Sequence, residues 1–341
     1  MSAFTNEGTE NLMRWDRRAQ GFMEVWFVTL NHADSGSGVW LRYTITSPAS
    51  RKGFPYCELW GFVFDPDGKR SLGAKDRFDI DRLGASNDRD DGAIVRVGDA
   101  FLSENHVEGI LVRDGRTLAW SLDFDPADRC YQHLPEQLRS RAAKRVSTLC
   151  SPNLSVPFFG TVTVDGDDLT FNGELGCQTH RWGRRHSRSW AWAHCSNFDG
   201  NVDATFEGLV ARTSLGPLSL PSVTPLYLSY EGEEIVLNDL RSAIGARSHQ
   251  EMPTWAFTAN NREFKVTGAA RADVQRLMQV TYDDPDGSLR HCANSEIADL
   301  GLEIYRRGHG EWRHIRSLSA LRTAQVEFGR PEPFQELPVL L

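Results

Sequence analysis

Short stretches with alternating side-chain character recur along the whole chain, and they constrain the fold more than any other feature. In residues 39–46, the odd positions are apolar or aromatic and alternate with Trp, Arg and Thr, the period of two that is typical of a half-buried β-strand. Turn signals such as Asp-Pro-Asp-Gly at 65–68 and Asp-Gly-Asp at 165–167 separate such stretches. Short strands at regular spacing, with few helices, predict antiparallel β-barrels or sandwiches and argue against a βαβ fold.

The same pattern predicts how the chain is divided. One short helix is predicted over 135–148, where a proline precedes a run of good helix formers. The two halves of the 341 residues are alike in size and character. We therefore predict an N-terminal β domain over 1–185 and a C-terminal β domain over 186–341. The proline-rich stretch 214–225 is predicted to be a loop that crosses the surface or covers the mouth of a barrel.

Composition excludes several classes of protein. The formal net charge of −8 gives no general attraction to phosphate backbones, so we predict no nucleic-acid partner. The N-terminal residues contain no apolar signal segment, and the longest uncharged stretch, 213–230, is interrupted by three prolines. Neither a secretory signal nor a membrane span is predicted. The six cysteines form no C-x-x-C pair, which favours free thiols and a cytoplasmic location.

The segment 176–200 carries the densest group of chemically versatile side chains. Three histidines and three tryptophans fall within it. Trp190, Trp192 and His194 are spaced by two, so a strand places all three on one face. The opposite face carries only Ala191, Ala193 and Cys195, small residues that fit a closely packed layer.

A hairpin is predicted to add a carboxylate to this face. Asp199-Gly200 is a strong signal for a two-residue turn. Paired residues share a face, and their Cβ atoms lie about 4.5–5.5 Å apart. With this turn, Glu207 pairs with Trp192 and becomes a diagonal neighbour of His194, within reach of a hydrogen bond. A bulge would change this register. The predicted pairs are Trp190 with Leu209, Trp192 with Glu207, and His194 with Thr205.

Such a face permits a specific chemistry. Aromatic rings stabilise positive charge by about 0.5–2 kcal/mol per ring. A carboxylic acid beside apolar rings has a raised pKa and can donate a proton near neutral pH. Together these properties suit the protonation of an isolated olefin and the guidance of the resulting carbocation. The alternative remains open that the tryptophans are core residues and that His194 and Glu207 form a structural pair.

A metal site is not predicted. Cys177 and His180 have C-x-x-H spacing, and His186 and His194 follow, but the second close pair of a zinc site is missing. We also predict no cofactor.

Several short motifs resemble one known group of proteins. The run His180-Arg181-Trp182-Gly183, followed by Trp190-Ala191-Trp192, resembles the H-x-W-G…W-x-W signature of lipocalin-like proteins. Hydroxyneurosporene synthase (carotenoid 1,2-hydratase) typifies that group, and tocopherol cyclase and fungal Diels–Alderases are more distant members. The stretches 21–26, 40–46 and 292–295 are also similar to parts of these proteins.

The resemblance implies a fold and a function. It implies two lipocalin-like antiparallel β domains side by side, with a hydrophobic pocket in or between them. It also implies a cofactor-independent lyase or isomerase that hydrates, cyclises or rearranges an isoprenoid or polyene lipid. Arg184 and Arg185 replace the apolar residues of a cyclase-like protein, which leaves a smaller or more polar isoprenoid open. A non-catalytic lipid carrier is the alternative, and a scaffold that exposes the tryptophan face is disfavoured.

These arguments give a set of candidate site residues. His180 also has a second interpretation, as a structural hydrogen-bond partner between the domains. Arg184, Arg185 and Arg188 form either a solvated run or a site for a diphosphate or carboxylate head group. The candidates for catalysis are Glu207, His194 and His180, and those for substrate binding are Trp190, Trp192, Trp182, Thr205 and Asn294.

Overall fold

The chain folds almost entirely into antiparallel β-strands. This structure is a computed structural model, and it describes residues 3–49, 53–85, 92–134, 138–139, 146–200, 202–215, 218–219 and 221–341. Within these residues the strands form two large sheets and one small hairpin. The predicted fold class, mostly β with two lipocalin-like antiparallel sheets, is confirmed.

The first sheet contains thirteen strands, in the order β5-β4-β3-β2-β13-β12-β10-β9-β8-β7-β6, with β1 and β11 joined beside β12. A 3-10 turn, Ile80–Arg82, links the edge strands β5 and β6, so the sheet curls until its two ends approach each other. The strands are β1 (Phe4–Thr5), β2 (Phe22–Asn31), β3 (Gly38–Ser47), β4 (Tyr56–Phe64), β5 (Leu72–Asp79), β6 (Leu83–Ala85), β7 (Ala93–Val97), β8 (Ala100–Ser103), β9 (His106–Arg113), β10 (Arg116–Phe124), β11 (Cys130–Gln132), β12 (Ser147–Val164) and β13 (Asp167–Gly183).

The second sheet contains ten strands, in the order β19-β18-β15-β14-β25-β24-β22-β21-β20, with β23 paired to β24. The hairpin β16–β17 (Ser214–Leu215 and Leu218–Ser219) lies apart from both sheets. The strands of the second sheet are β14 (Ser189–Cys195), β15 (Ala204–Arg212), β18 (Leu226–Tyr230), β19 (Glu233–Leu237), β20 (Arg247–Glu251), β21 (Thr254–Asn260), β22 (Phe264–Arg271), β23 (Met278–Asp283), β24 (Leu289–Gly308) and β25 (Glu311–Arg330).

Two short helical segments accompany the second sheet. Helix α1 spans Leu240–Gly245, and the side chain of Asp239 caps it by accepting hydrogen bonds from two backbone amides of its first turn. A 3-10 turn covers Val274–Arg276. The sequence analysis did not predict α1. Among the described residues, no helix has both the length and the apolar character that crossing a bilayer requires.

Each sheet encloses its own apolar core, and a third cluster lies between them. Trp26 and Tyr43 are buried inside the first sheet. Ala191 and Ala193 are buried inside the second, as their small size suggested. Between the sheets, aromatic side chains of both meet: Trp40, Trp60, Phe62, Trp190, Trp192 and Tyr282. These side chains project outwards from the two sheets, and aromatic groups from both sheets therefore line the space between them.

Some expectations about chain organisation need correction. The helix predicted over 135–148 lies largely outside the described residues, and its last two residues instead begin β12. The stretch 214–225, predicted as a loop, contains the short hairpin β16–β17. The first sheet ends at Gly183 and the second begins at Ser189, on either side of the predicted boundary at 185/186. The division into domains 1–185 and 186–341 stays a prediction.

Candidate functional site

A cavity of about 350 Å³ lies between the two sheets. Ligand pockets in proteins usually measure about 300–1,000 Å³, so it lies at the small end of that range. Apolar side chains dominate its lining, with a few polar groups among them. The lining residues are Phe27, Leu134, Leu138, Val146, Ser147, Leu149, Arg181, Ser187, Trp190, Trp192, Leu209, Ala211, Thr213, Pro221, Val223 and Glu327.

Strand β14 positions the two indoles of this lining. Side chains alternate along a strand, so Ala191 and Ala193 enter the core of the second sheet while Trp190 and Trp192 leave it on the other side. Phe27 of β2 meets Trp192 edge-on, with ring centroids 5.7 Å apart. Both sheets therefore contribute to one aromatic wall.

The hairpin that follows β14 differs in register from the prediction. The predicted two-residue turn at Asp199-Gly200 is wrong, because an isolated bridge joins Phe198 to Val202 and leaves three residues between them. The strands then pair two residues out of the predicted register. A shift of two keeps every side chain on its predicted face. The observed pairs are Trp190 with Ala211, Trp192 with Leu209, and His194 with Glu207.

Glu207 is fully buried beside His194 and forms a hydrogen bond with Trp192 of the aromatic wall. Its Oε1 accepts a hydrogen bond from Trp192 Nε1 at 2.6 Å, and its Oε2 lies 2.8 Å from His194 Nδ1. His194 Nε2 lies 2.9 Å from the hydroxyl of Ser196. His133, which the sequence analysis did not single out, places its Nε2 3.4 Å from Glu207 Oε1. Glu207 and His194 are not among the residues that line the cavity, so they contact it through Trp192.

The same cluster contains the one group of metal-ligand type found among the described residues. Ligand atoms of Cys177, His194 and Glu207 lie within 4.8 Å of one another. Each of them already has a protein partner, since Cys177 Sγ lies 3.5 Å from the hydroxyl of Thr179. Burial also raises the pKa of the Cys177 thiol well above its usual value, which disfavours the thiolate that binds metal. The donor set therefore fits a hydrogen-bond network better than an ion.

Glu327 of β25 is the carboxyl group that reaches the cavity. It is the strand partner of Trp192, and its Oε2 accepts a hydrogen bond from Trp190 Nε1 at 3.1 Å. Burial raises its pKa; the hydrogen bond from Trp190 and the charges of Arg42 and Arg181 oppose this without cancelling it. The sequence analysis missed Glu327. Only the pairing of β14 with β25, more than 130 residues apart, brings it beside the tryptophans.

Arg181 faces the cavity from the first sheet. Its Nε and Nη2 atoms donate to the hydroxyl of Ser147 at 3.1 and 2.8 Å. Burial lowers the pKa of its guanidinium to about 10. The cavity thus combines one carboxyl and one guanidinium with an otherwise largely apolar lining.

His180 and Trp182 lie on the other side of β13. His180 is fully buried, and its two ring nitrogens lie 2.7 Å from the carbonyl oxygen of Glu10 and 2.8 Å from Glu24 Oε1. Trp182 is half-buried, with the guanidinium of Arg14 over its ring at 5.1 Å. Neither lines the cavity, so the geometry gives no support to catalysis by His180 or substrate binding by Trp182.

Two further predicted residues are buried and do not line the cavity. Thr205 pairs with Ser229 in the second sheet. Asn294 pairs with Glu327, and neither polar atom of its side chain has a hydrogen-bond partner among the described residues. Close to it, burial raises the pKa of Glu296 to about 8. The roles predicted for Thr205 and Asn294 stay predictions.

Comparison with known proteins identifies relatives of the same overall fold. An uncharacterized protein of Mycobacterium tuberculosis strain H37Rv, Rv0493c, is 24% identical over 324 residues, which cover 93% of this chain and 89% of that protein. The crystal structure of an AttH candidate from Nitrosomonas europaea has a TM-score of 0.52 at 11% identity, covering 93% of this chain and 96% of that one. Kievitone hydratase from Nectria haematococca has a TM-score of 0.51 at 8% identity, covering 95% and 94%. At these identities the two structures establish the fold alone.

A family model gives the closer assignment. The model described as tocopherol cyclase-like matches residues 157–330, just over half of the chain. The matched region contains β13, β14 and β25, the strands that carry Arg181, the two cavity tryptophans and Glu327. The specific resemblance to hydroxyneurosporene synthase stays a prediction, whereas the broader relationship is shown: this chain belongs to the tocopherol cyclase-like family.

Proposed function

We propose that the protein is a cofactor-independent lyase or isomerase that hydrates, cyclises or rearranges a compact isoprenoid or polyene by acid catalysis between its two sheets. The observation that carries the proposal is the position of Glu327. Its carboxyl group, with a raised pKa, is held by Trp190 beside an aromatic wall. A carboxyl group in this setting holds its proton more tightly than an exposed one does and can transfer it to a bound substrate.

The proposed reaction begins with one proton transfer. Glu327 donates its proton to a carbon of the olefin, the π electrons form the new C–H bond, and the adjacent carbon becomes a cation. The faces of Trp190 and Trp192 stabilise that cation. Attack by water, or by a second double bond of the same substrate, consumes the cation, and the proton released afterwards returns to the Glu327 carboxylate. The sequence of steps changes no oxidation state of the protein and requires no redox cofactor.

Glu207 and His194 take a different role from the one first assigned to them. They are positioning residues in this proposal, because the hydrogen bond between Glu207 and Trp192 fixes the indole whose ring lines the cavity. Catalysis itself is assigned to Glu327.

The size of the cavity supports a compact substrate. A volume of about 350 Å³ accommodates a small hydrophobic molecule better than a full-length carotenoid. Membership of the tocopherol cyclase-like family and the name of kievitone hydratase, which states a hydration, agree with chemistry on such molecules. A non-catalytic carrier is the second candidate, because the mostly apolar lining alone is sufficient to bind a lipid.

The test compares two carboxyl variants on lipophilic extracts of the source cells. Purified wild type, Glu327→Gln and Glu311→Gln are incubated with the extract, and the products are analysed by liquid chromatography and mass spectrometry. Glu311 is an exposed carboxyl at the start of β25 and serves as the matched control. We expect wild type and the Glu311 variant to produce a gain or loss of water, or an isomer, and the Glu327 variant to lose at least 100-fold in rate.

Two outcomes would contradict the proposal. Full activity of Glu327→Gln would remove Glu327 as the acid. Co-purification of an unchanged lipid, with no product from any variant, would favour the carrier.

A further inference from the structure

Arg181 is a charged group in an apolar cavity, and it has no charged partner. No carboxylate of the described residues lies within 4.0 Å of its guanidinium. Its only hydrogen-bond acceptor in the described part of the chain is the hydroxyl of Ser147, which receives two of its five N–H groups. Removing a guanidinium from water is costly unless an anion compensates it. The side chain therefore has both the charge and the free donors to bind an anionic group inside the cavity.

Neighbouring arginines are arranged differently. A polar recess of about 330 Å³ adjoins the cavity and shares Thr213 with it. Two of its arginines have carboxylate partners, since Arg185 lies 3.5 Å from Asp286 and Arg290 lies 3.8 Å from Asp284. Inside the apolar site, by contrast, no carboxylate of the described residues lies in contact with the Arg181 guanidinium.

Glu327 does not neutralise Arg181. Both line the same cavity, yet their charged atoms are more than 4.0 Å apart, and Glu327 Oε2 accepts from Trp190 instead. The raised pKa of Glu327 and the lowered pKa of Arg181 both show that burial prevails over their mutual attraction. A substrate that carries an anion at one end and a double bond at the other can contact both groups at once.

We propose that the substrate is an amphipathic acid, with an unsaturated hydrocarbon body and a carboxylate, and that Arg181 binds the carboxylate inside the cavity. This inference rests on the proposed function and names its substrate class. The planar guanidinium matches the two oxygens of a carboxylate, and the aromatic wall contacts the hydrocarbon. Arg181 is then the residue that orients the substrate, so that its double bond faces Glu327.

The test uses binding, so it does not depend on turnover. The fluorescent polyene cis-parinaric acid and its methyl ester are titrated into wild type, Arg181→Gln, Arg181→Lys and Arg271→Gln. Arg271 is exposed at the end of β22 and does not line the cavity, which makes it the matched control. We expect wild type and the Arg271 variant to bind the acid at least tenfold more tightly than the ester. Arg181→Gln should abolish that preference by weakening binding of the acid alone, and Arg181→Lys should retain part of it.

Other results would overturn the inference. Equal affinity of wild type for acid and ester would show that no anion site exists, as would a preference that persists in Arg181→Gln. Absence of binding by either probe would equally overturn the proposed substrate class. If Arg181→Gln does not fold, the comparison in wild type and in Arg181→Lys still decides the question. Each of these results is independent of the Glu327→Gln turnover assay, so the substrate class and the proposed reaction can fail separately.

Discussion

Replacing His180 is expected to lower the free energy of unfolding and not to remove a catalytic group. Its Nδ1 lies 2.7 Å from the carbonyl oxygen of Glu10, and its Nε2 lies 2.8 Å from the carboxylate of Glu24. A carbonyl and a carboxylate can only accept, so both ring nitrogens must carry protons and the ring is an imidazolium. The ring also stacks on Trp26, with centroids 4.6 Å apart. His180 thus joins the N-terminal segment, β2 and β13 inside the first sheet.

The magnitude follows from the pKa. Burial lowers the pKa of His180, but its interactions with nearby Cys150 and with Glu24 raise it more, from 6.5 to about 9. At about 1.4 kcal/mol per pH unit, this difference stabilises the folded state by about 3 kcal/mol. Because the pKa is higher in the folded state, the stabilisation is complete below about pH 6.5 and is lost as the pH rises through about 9. Removing the ring costs about 3–5 kcal/mol at low pH, since Glu24 remains buried without its cation.

Urea unfolding at pH 6.5, 8 and 10 tests this reasoning on wild type, His180→Gln and the control His249→Gln. His249 is largely exposed, with 77% of its side chain accessible. The difference in unfolding free energy between wild type and His180→Gln should fall by about 3 kcal/mol between pH 6.5 and 10, while the control should show no such change. A difference that is the same at all three pH values would refute the imidazolium assignment.

Three further predictions concern the cavity. In Gly329→Ala, the new Cβ would lie 2.2 Å from the Trp190 ring, so the indole must move. We expect the free energy of unfolding in urea to fall by about 1–3 kcal/mol and cis-parinaric acid to bind more weakly. Unchanged binding would contradict this packing. Glu207→Gln should weaken the support of Trp192 and cost about 1–3 kcal/mol, with activity reduced but measurable; complete loss would instead favour Glu207 as the acid. Since burial raises the pKa of Glu327, kcat/KM should fall as the pH rises through that pKa, and a flat pH profile would argue against a protonated carboxyl.

Local patterns in the sequence sufficed for strands such as β3 and β14 and for the faces of β14. The period of two in β14 places Trp190 and Trp192 together, and it sends Ala191 and Ala193 into the opposite core. The register of the following hairpin was not predictable to the residue, because turn length depends on how the loop packs. The error was two residues, an even number, so Glu207 kept its predicted face and reached His194.

The chemistry of the cavity depends on contacts between distant strands. Glu327 enters it because β25 pairs with β14, and no residue near Glu327 in the sequence signals that pairing. Arg181 enters it because β13 presents alternate side chains to the two sides of the first sheet. No local pattern could have brought these two groups to one cavity.

The H-x-W-G motif shows how neighbouring residues of one strand reach different environments. The motif occupies β13, where His180 and Trp182 fall on one side of the strand and Arg181 on the other. His180 bonds Glu24 and stacks on Trp26 inside the first sheet, while Arg181 reaches the cavity. The two residues that define the motif therefore pack inside the first sheet, and the position between them faces the cavity. If this division holds, relatives that share the motif will differ in substrate according to the residue at the position of Arg181.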